Sequence, residues 1–427
     1  MLSLLSFMAL PRVAVLLSTL LLFSPASAQS IKSLDDLFTL KAGDSKGGCD
    51  KYKTQLTAFL PDIQALVDAG IEASDPSTGA AIQNNKNAIT NLFTFYNFEF
   101  DNDGNPLGKN KNPTRQEKSR LGSIHGTFND LKLFLENGYT AIERLENTKP
   151  WLFCDSSWLE ETETAYDEDG NPEQNTDTGA AAGSTYTVRN IPIKDAQGKQ
   201  TDNFELYSEF QTPANADPDN WDKYAYYSPD FKLYMSTPKA ARALDNGSGG
   251  RSWCNGDVTE GPSDVPEKRR YGITTEWMAS ATITLCPSVF GSDGANWNTL
   301  NDMKNDARSS TYGTALESRS IKAITLMHEM IHLLKGNDDT PDAATYSDGV
   351  LGLTKDQKAA SRTAASKNPD TYVYFSLSYW LTKNIKMPAP ANTNNAPSDI
   401  DWSAGVSKGE VRPGPVADSG PETDGDQ

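Results

Sequence analysis

TLMHEMIHLLKGNDDTPDAATYSDG, residues Thr325 to Gly349, decides how this chain is read. It contains an HExxH pattern, His328, Glu329 and His332, set in an otherwise almost wholly apolar run from Ile321 to Leu334. Two histidines four apart on a helix project from one face, so both imidazoles can reach one ion. Apolar residues on nearly every other position predict a helix, about Ser318 to Lys335, buried on most sides. Gly336 is placed to end it. An ordinary core helix would bury two imidazoles and a carboxylate without partners, at a high cost. That argues for a zinc site.

Glu329 follows the first histidine and lies on the metal's open side, where it can take a proton from a zinc-activated water and return it to a leaving amine. A catalytic zinc takes three protein ligands and one water, so a third ligand is needed. Past His332 there is no histidine and no cysteine, and the first glutamate after Glu329 is Glu410, far down the tail. A glutamate on the next helix and a third histidine are both excluded. Aspartate remains, with Asp338, Asp339, Asp342, Asp348, Asp356 and Asp370 on offer.

Near the start of the 427-residue chain, Arg12 precedes an apolar run from Val13 to Phe23, and Ala26-Ser27-Ala28 follows. This is the order of a signal peptide over residues 1–28 with a small-x-small cleavage site. The run is too short to span a bilayer, so a secreted, soluble protein is expected. Four cysteines, Cys49, Cys154, Cys254 and Cys286, suit an oxidising compartment. They are too far apart for a metal cluster, and the uncrossed pairing Cys49–Cys154 and Cys254–Cys286 is expected. Asn246-Gly247-Ser248 is a glycosylation sequon in a Gly-rich loop. The net charge of −18, from 39 basic and 57 acidic residues, argues against nucleic acid and anionic membranes, which need basic patches. It suits solubility in an acidic medium or, more sharply, basic protein substrates.

Helices are expected over Asp50–Ala73 and through Leu121 to Leu135 from apolar residues three or four apart, around Ala80–Tyr96, and over about Lys355–Lys383, which includes the aromatic run Tyr372, Tyr374, Phe375, Tyr379 and Trp380. His125 beside the third stripe reads as a hydrogen-bonded packing residue. Ala279 to Cys286 reads as a strand stopped by Pro287. Residues from about 155 to 250 are polar and rich in Asp, Asn, Gly and Pro, an insertion on the domain surface with short β-prone pieces at Thr185–Val188 and Asn203–Tyr207. Asp101 to Pro106 and Asp167 to Pro172 are near copies that resemble calcium loops, but they lack the Gly at loop position six and the Glu at twelve. They are read as hairpin turns. Lys268-Arg269-Arg270 is read as a basic surface loop. Residues 387–427 read as a disordered acidic tail.

Asp339-Thr340-Pro341-Asp342-Ala343-Ala344-Thr345-Tyr346, with the HExxH before it, resembles the aspzincins, deuterolysin and related fungal metalloendopeptidases. Gly47-Gly48-Cys49, Arg120-Leu121-Gly122-Ser123, Thr284-Leu285-Cys286-Pro287 and Asn368-Pro369-Asp370-Thr371-Tyr372 look like further landmarks of that family. The resemblance implies an α+β, zincin-like metallopeptidase, mostly helical with a small sheet, over residues 29–386. It implies Asp342 as zinc ligand and Tyr346 as stabiliser of the oxyanion, and it agrees with the cysteine pairing above. The family spacing has two residues between that aspartate and tyrosine. Here there are three, which keeps Asp339 and Asp338 as alternatives. Asp370 falls where the family has an aspartate near the substrate pocket, so it either favours a basic side chain or hydrogen-bonds within the site. Val373 replaces the second carboxylate of the lysine-specific members. The function implied is a secreted, monomeric zinc metalloendopeptidase acting on proteins or peptides. The alternatives are a zinc-binding or surface protein without catalysis, and a removable propeptide over residues 29 to about 200.

Overall fold

The computed structural model describes residues 30–76, 85–167, 169–191, 223–238, 254, 272–276, 280–291, 297–306, 315–355 and 358–386. The expected signal peptide, the sequon at Asn246, the β-prone piece at Asn203–Tyr207, the basic loop at Lys268 to Arg270 and the acidic tail lie outside these residues. The architecture is mixed, with helices predominating over two small sheets. Among the described residues no helix is long and apolar enough to cross a membrane.

After a short helix α1 (Leu34–Leu37) and a two-residue strand β1 (Thr39–Leu40), the long helix α2 (Lys53–Ser74) buries Leu56, Phe59, Ile63, Leu66 and Val67. Helix α3 (Lys86–Tyr96) begins where Asn85 Oδ1 accepts the Ala88 N–H at 3.1 Å and ends at Asn97 in the left-handed region. In α4 (Arg115–Asn137), the Thr114 hydroxyl oxygen caps the start by accepting the Glu117 N–H at 3.2 Å, and Gly138 at φ +84° stops it. These are side-chain caps followed by residues that tolerate positive φ. His125 Nδ1 lies 3.3 Å from Ser74 Oγ, bridging α4 to α2 as a packing residue.

The main sheet runs β1-β2-β7-β6, with β2 spanning Trp151–Phe153, β6 Gly272–Thr275 and β7 Thr282–Leu285. Strands β1, β2 and β7 are parallel, and β6 joins β7 antiparallel with Gly272 opposite Leu285 and Thr274 opposite Ile283. The strand expected from Ala279 thus forms later, at Thr282. Strand β6 was not anticipated, and it forms the sheet edge among the described strands.

The polar insertion has more structure than expected. Strands β3 (Glu160–Glu161), β4 (Lys223–Ser228) and β5 (Leu233–Pro238) make an antiparallel sheet of their own. Ala165, Tyr186, Val188, Ile191, Ala225, Tyr227 and Tyr234 form a second core beneath it. Its tyrosines supply apolar area that composition alone disguised, because their rings bury, and Tyr234 Oη also donates to the Thr164 carbonyl at 2.6 Å. Trp158 stacks on Phe153 at 4.3 Å and donates its indole N–H to Thr284 Oγ1 on β7, tying the insertion to the main sheet. Gly47, at φ +83°, passes so close that a Cβ there would stand 2.8 Å from both Phe153 and Trp158. Both near-copy loops are hairpin turns: Asp101 Oδ1 accepts the N–H groups of Asp103 and Asn105, and Asp167 Oδ1 those of Asp169 and Asn171. Disulfides join Cys49 to Cys154 and Cys254 to Cys286.

The C-terminal part contains α5 (Leu300–Asn305), α6 (Ala323–Lys335), α7 (Tyr346–Thr354), α8 (Ala359–Lys367) and α9 (Pro369–Asn384). The single helix expected over Lys355–Lys383 is therefore two. The break falls at Asn368 (φ −79°, ψ 119°) because Pro369 disfavours helical backbone in the residue before it while suiting the first position of α9. Helix α6 starts at Ala323, not Ser318; Glu317–Arg319 is a separate 3-10 turn. It packs on β6 and β7 with one side and on α2, α4 and α9 with others. That sandwiching explains why it is apolar almost all round.

Candidate metal centre

Helix α6 brings His328, Glu329 and His332 to the end of the main sheet beside β6. His328 Nε2 and His332 Nε2 are 3.1 Å apart. Asp342 Oδ1 lies 3.2 Å from each. The three atoms form a nearly equilateral triangle of nitrogen and oxygen acceptors, and these residues form the one His/Cys/Asp/Glu group with metal-holding geometry among the described residues.

The opposite ring nitrogens are already committed. Thr340 Oγ1 donates its proton to the Gly336 carbonyl at 2.6 Å, so towards His332 Nδ1, 3.1 Å away, it can only accept. His332 therefore carries its proton on Nδ1 and presents a lone pair at Nε2. His328 Nδ1 lies 2.7 Å from Asp370 Oδ1, a carboxylate that accepts in the same way. Lone pairs converging with a carboxylate oxygen require a positive charge between them, a cation or a proton. The electrostatics express this need. Burial works against charge on His328, yet the carboxylates of Asp370, Asp342 and Glu329 outweigh it and raise its pKa well above the usual value. Burial likewise opposes the Asp342 carboxylate, but hydrogen bonding and charge from both histidines hold its carboxyl well below the usual range.

The loop carrying Asp342 is built by the helix ends around it. Gly336, at φ +96°, turns the chain out of α6, and its carbonyl accepts the Asp339 and Thr340 N–H groups. Asn368, at the break before α9, accepts the Ala344 N–H at 3.2 Å. Asp338 and Asp339 are exposed on the outside of this turn, with Asp339 3.8 Å from Lys367, so of the three aspartates open from sequence the fold brings Asp342 to the histidines.

Tyr346 heads α7 at φ +61°, a sparsely populated region for a bulky residue. Its N–H donates to Asp370 Oδ2 at 3.0 Å. The structure thus joins Tyr346 to the site through its main chain, and the ring is not among the groups lining the cavity beside the triad. Asp370 uses one oxygen on His328 and the other on Tyr346, the hydrogen-bonding role of the two that the sequence left open.

Glu329 is buried, and burial pushes its carboxyl pKa up against the lowering effects of His328, His332 and Thr274. Thr274 on β6 places its hydroxyl 2.7 Å from Glu329 Oε2 and 3.0 Å from the Glu329 carbonyl. A cavity of about 330 Å³ opens here, lined by Gly272 to Thr275, Glu329, His332, Asn337, Pro341 and Asp342. Asn337 donates its side-chain N–H to the Thr274 carbonyl at 3.0 Å and its main-chain N–H to Glu276 Oε1 at 2.9 Å. Thr340, Thr274, Gly272 and Asn337 were not singled out from sequence. For Thr274 the available signal was the β-branched run Ile273-Thr274-Thr275. No protein-family model, curated protein or solved structure matches the chain.

Proposed function

We propose that this protein is a secreted zinc-dependent metalloendopeptidase with a zincin-like site. One observation carries the reading: two imidazole Nε2 atoms and one carboxylate oxygen converge while their Nδ1 partners are engaged elsewhere. Ligands of a tetrahedral zinc at about 2.0–2.1 Å stand roughly 3.3 Å from one another. The observed edges of 3.1 to 3.2 Å fit that size. Two histidines and an aspartate also leave the fourth position open, as a catalytic site requires. When bound, zinc supplies a Lewis acid that polarises a carbonyl and brings a water's pKa towards neutrality.

The chain's own groups then have assignable work. His328, His332 and Asp342 hold the ion, and Asp370 and Thr340 orient the two rings. Glu329 accepts a proton from the attacking water and passes it to the leaving amine, a role suited by a carboxyl whose pKa burial has raised. Strand β6, at the sheet edge beside Glu329, offers main-chain groups to an extended peptide. Tyr346 as oxyanion stabiliser, a preference for basic side chains and membership of the aspzincins belong to this proposal through the sequence resemblance. The two disulfides are consistent with secretion.

The test is zinc content together with cleavage of casein and protamine for wild type, Glu329→Gln and Asp342→Asn. The expected result is one zinc per wild-type chain, zinc retained with activity reduced at least about 100-fold in Glu329→Gln, and zinc lost in Asp342→Asn. Wild-type protein that binds zinc and cleaves neither substrate would overturn the peptidase reading. Full activity in Glu329→Gln would remove Glu329 from the mechanism.

A further inference from the structure

We propose that strand β6 grips the Glu329 carboxylate from two sides, with Thr274 as a positioning residue for one oxygen and Gly272 leaving room for the other. This rests on the peptidase reading for its kinetic consequence but not for its geometry.

Residues two apart on a strand share a face. On β6 the shared face of Gly272 and Thr274 is the one turned to Glu329. Thr274 has its hydroxyl 2.7 Å from Oε2, and both residues of that pair are almost fully buried. A donor held by a strand and an acceptor held by a helix fix the carboxylate's rotation as well as its position. At Gly272 the opposite device operates: a Cβ there would lie 2.6 Å from Oε1 and 2.8 Å from Cγ of Glu329. Cβ atoms essentially never sit so close, so any side chain at 272 would displace the carboxylate. Gly272 has ordinary backbone dihedrals and opposes Leu285 in regular pairing, so its glycine is explained by this close approach and not by a turn.

The two oxygens of Glu329 are therefore unequal. Oε2 accepts from Thr274, and Oε1, under the gap at Gly272, is the oxygen left to accept a proton. The same hydroxyl also lies 3.0 Å from the Glu329 carbonyl, which raises a purely structural alternative in which Thr274 only ties β6 to α6.

Thr274→Val keeps the shape and removes the donor, Thr274→Ser keeps the donor, and Gly272→Ala adds the Cβ. Each is assayed for zinc content, for kcat and KM separately, and for the Glu329 side chain in a crystal structure. The expected result is zinc retained in all three. In Thr274→Val, kcat falls about 10- to 100-fold, the size typical of losing a group that orients a site residue, with KM changed less than about threefold. Thr274→Ser is expected to recover kcat to within about threefold. The crystal structures should show the Glu329 carboxylate turned away from its wild-type rotamer in Thr274→Val and in Gly272→Ala, but not in Thr274→Ser. Wild-type kcat in Thr274→Val, or an unmoved carboxylate in both Thr274→Val and Gly272→Ala, would overturn the inference. A wild-type protein without peptidase activity refutes the proposed function, while the crystallographic arm still decides the grip.

Discussion

Asp370 Oδ1 stands 2.7 Å from His328 Nδ1, so a carboxylate in the first turn of α9 orients a candidate ligand on α6. Groups in this position fix the tautomer of a metal-binding imidazole, and removing them costs about 10- to 100-fold in metal affinity. Asp370→Ala is expected to weaken zinc binding by that factor, measured by titration against a competing chelator. Asp370→Asn should lose less, because its amide oxygen can still accept from Nδ1. Unchanged affinity in Asp370→Ala would show that His328 needs no such partner.

The choice among three aspartates has a direct test. Asp342→Asn replaces the carboxylate of the proposed third ligand with a neutral amide and is expected to lower zinc affinity by more than the roughly 10- to 100-fold of an outer-shell change. Asp338→Asn and Asp339→Asn alter exposed groups on the far side of the turn and should leave it within about threefold, as for surface charges in general. A reversed order of effects by the same titration would reassign the third ligand.

Asp62 gives a pH-dependent prediction away from the site. It lies buried on α2, its Oδ1 accepting the Leu300 N–H at 3.2 Å, and burial with Asp302 nearby raises its carboxyl from 3.8 to about 6. The folded chain thus holds this proton more tightly than the unfolded chain. Stability from this group increases as pH falls from about 6 towards 3.8, and it is lost as pH rises through about 6. Asp62→Asn removes a buried charge and keeps an acceptor for Leu300. It should stabilise the protein by of order 1–2 kcal/mol at pH 7.5, after allowing for partial hydration, and by little near pH 4. Urea unfolding of both proteins at the two pH values checks this, and equal stability at pH 7.5 would count against a strained Asp62.

Cys49–Cys154 closes a loop with a sequence separation of 105 and ties the approach to α2 to the end of β2. A cross-link of this span restricts the unfolded chain by about 4–5 kcal/mol in the chain-entropy picture. Replacing both cysteines with serine is expected to lower the midpoint of thermal unfolding more than replacing Cys254 and Cys286, whose separation is only 32. Calorimetry of the two double variants gives the comparison.

Several features were legible in the chain because they depend on near neighbours. The apolar spacing of Leu56, Phe59, Ile63 and Leu66 marks α2 whatever packs on it, and Asn97 and Gly138 mark helix ends through their own backbone freedom. The break at Asn368 is marked in the chain by Pro369, which disfavours helical backbone in the residue before it. The core under β4 and β5 was hidden because its tyrosines are scattered through a run of Asp, Asn and Gly, although Tyr227 and Tyr234 bury their rings. Strand β6 is four residues long, too short for a periodicity to register.

By itself the sequence determined that His328, Glu329 and His332 share a helix, because spacing by three and four residues sets a common face regardless of context. Elimination of later histidine, cysteine and in-domain glutamate also narrowed the third acceptor to an aspartate. Which aspartate meets the two histidines, and which groups face their Nδ1 atoms and the Glu329 carboxylate, were decided only by the tertiary structure. Asp342, Thr340, Asp370 and Thr274 come from a turn, a helix start and a sheet edge up to 96 residues apart in the chain. Their meeting depends on how α6, α9 and β6 pack, which is a sum of contacts over the whole core and leaves no local mark.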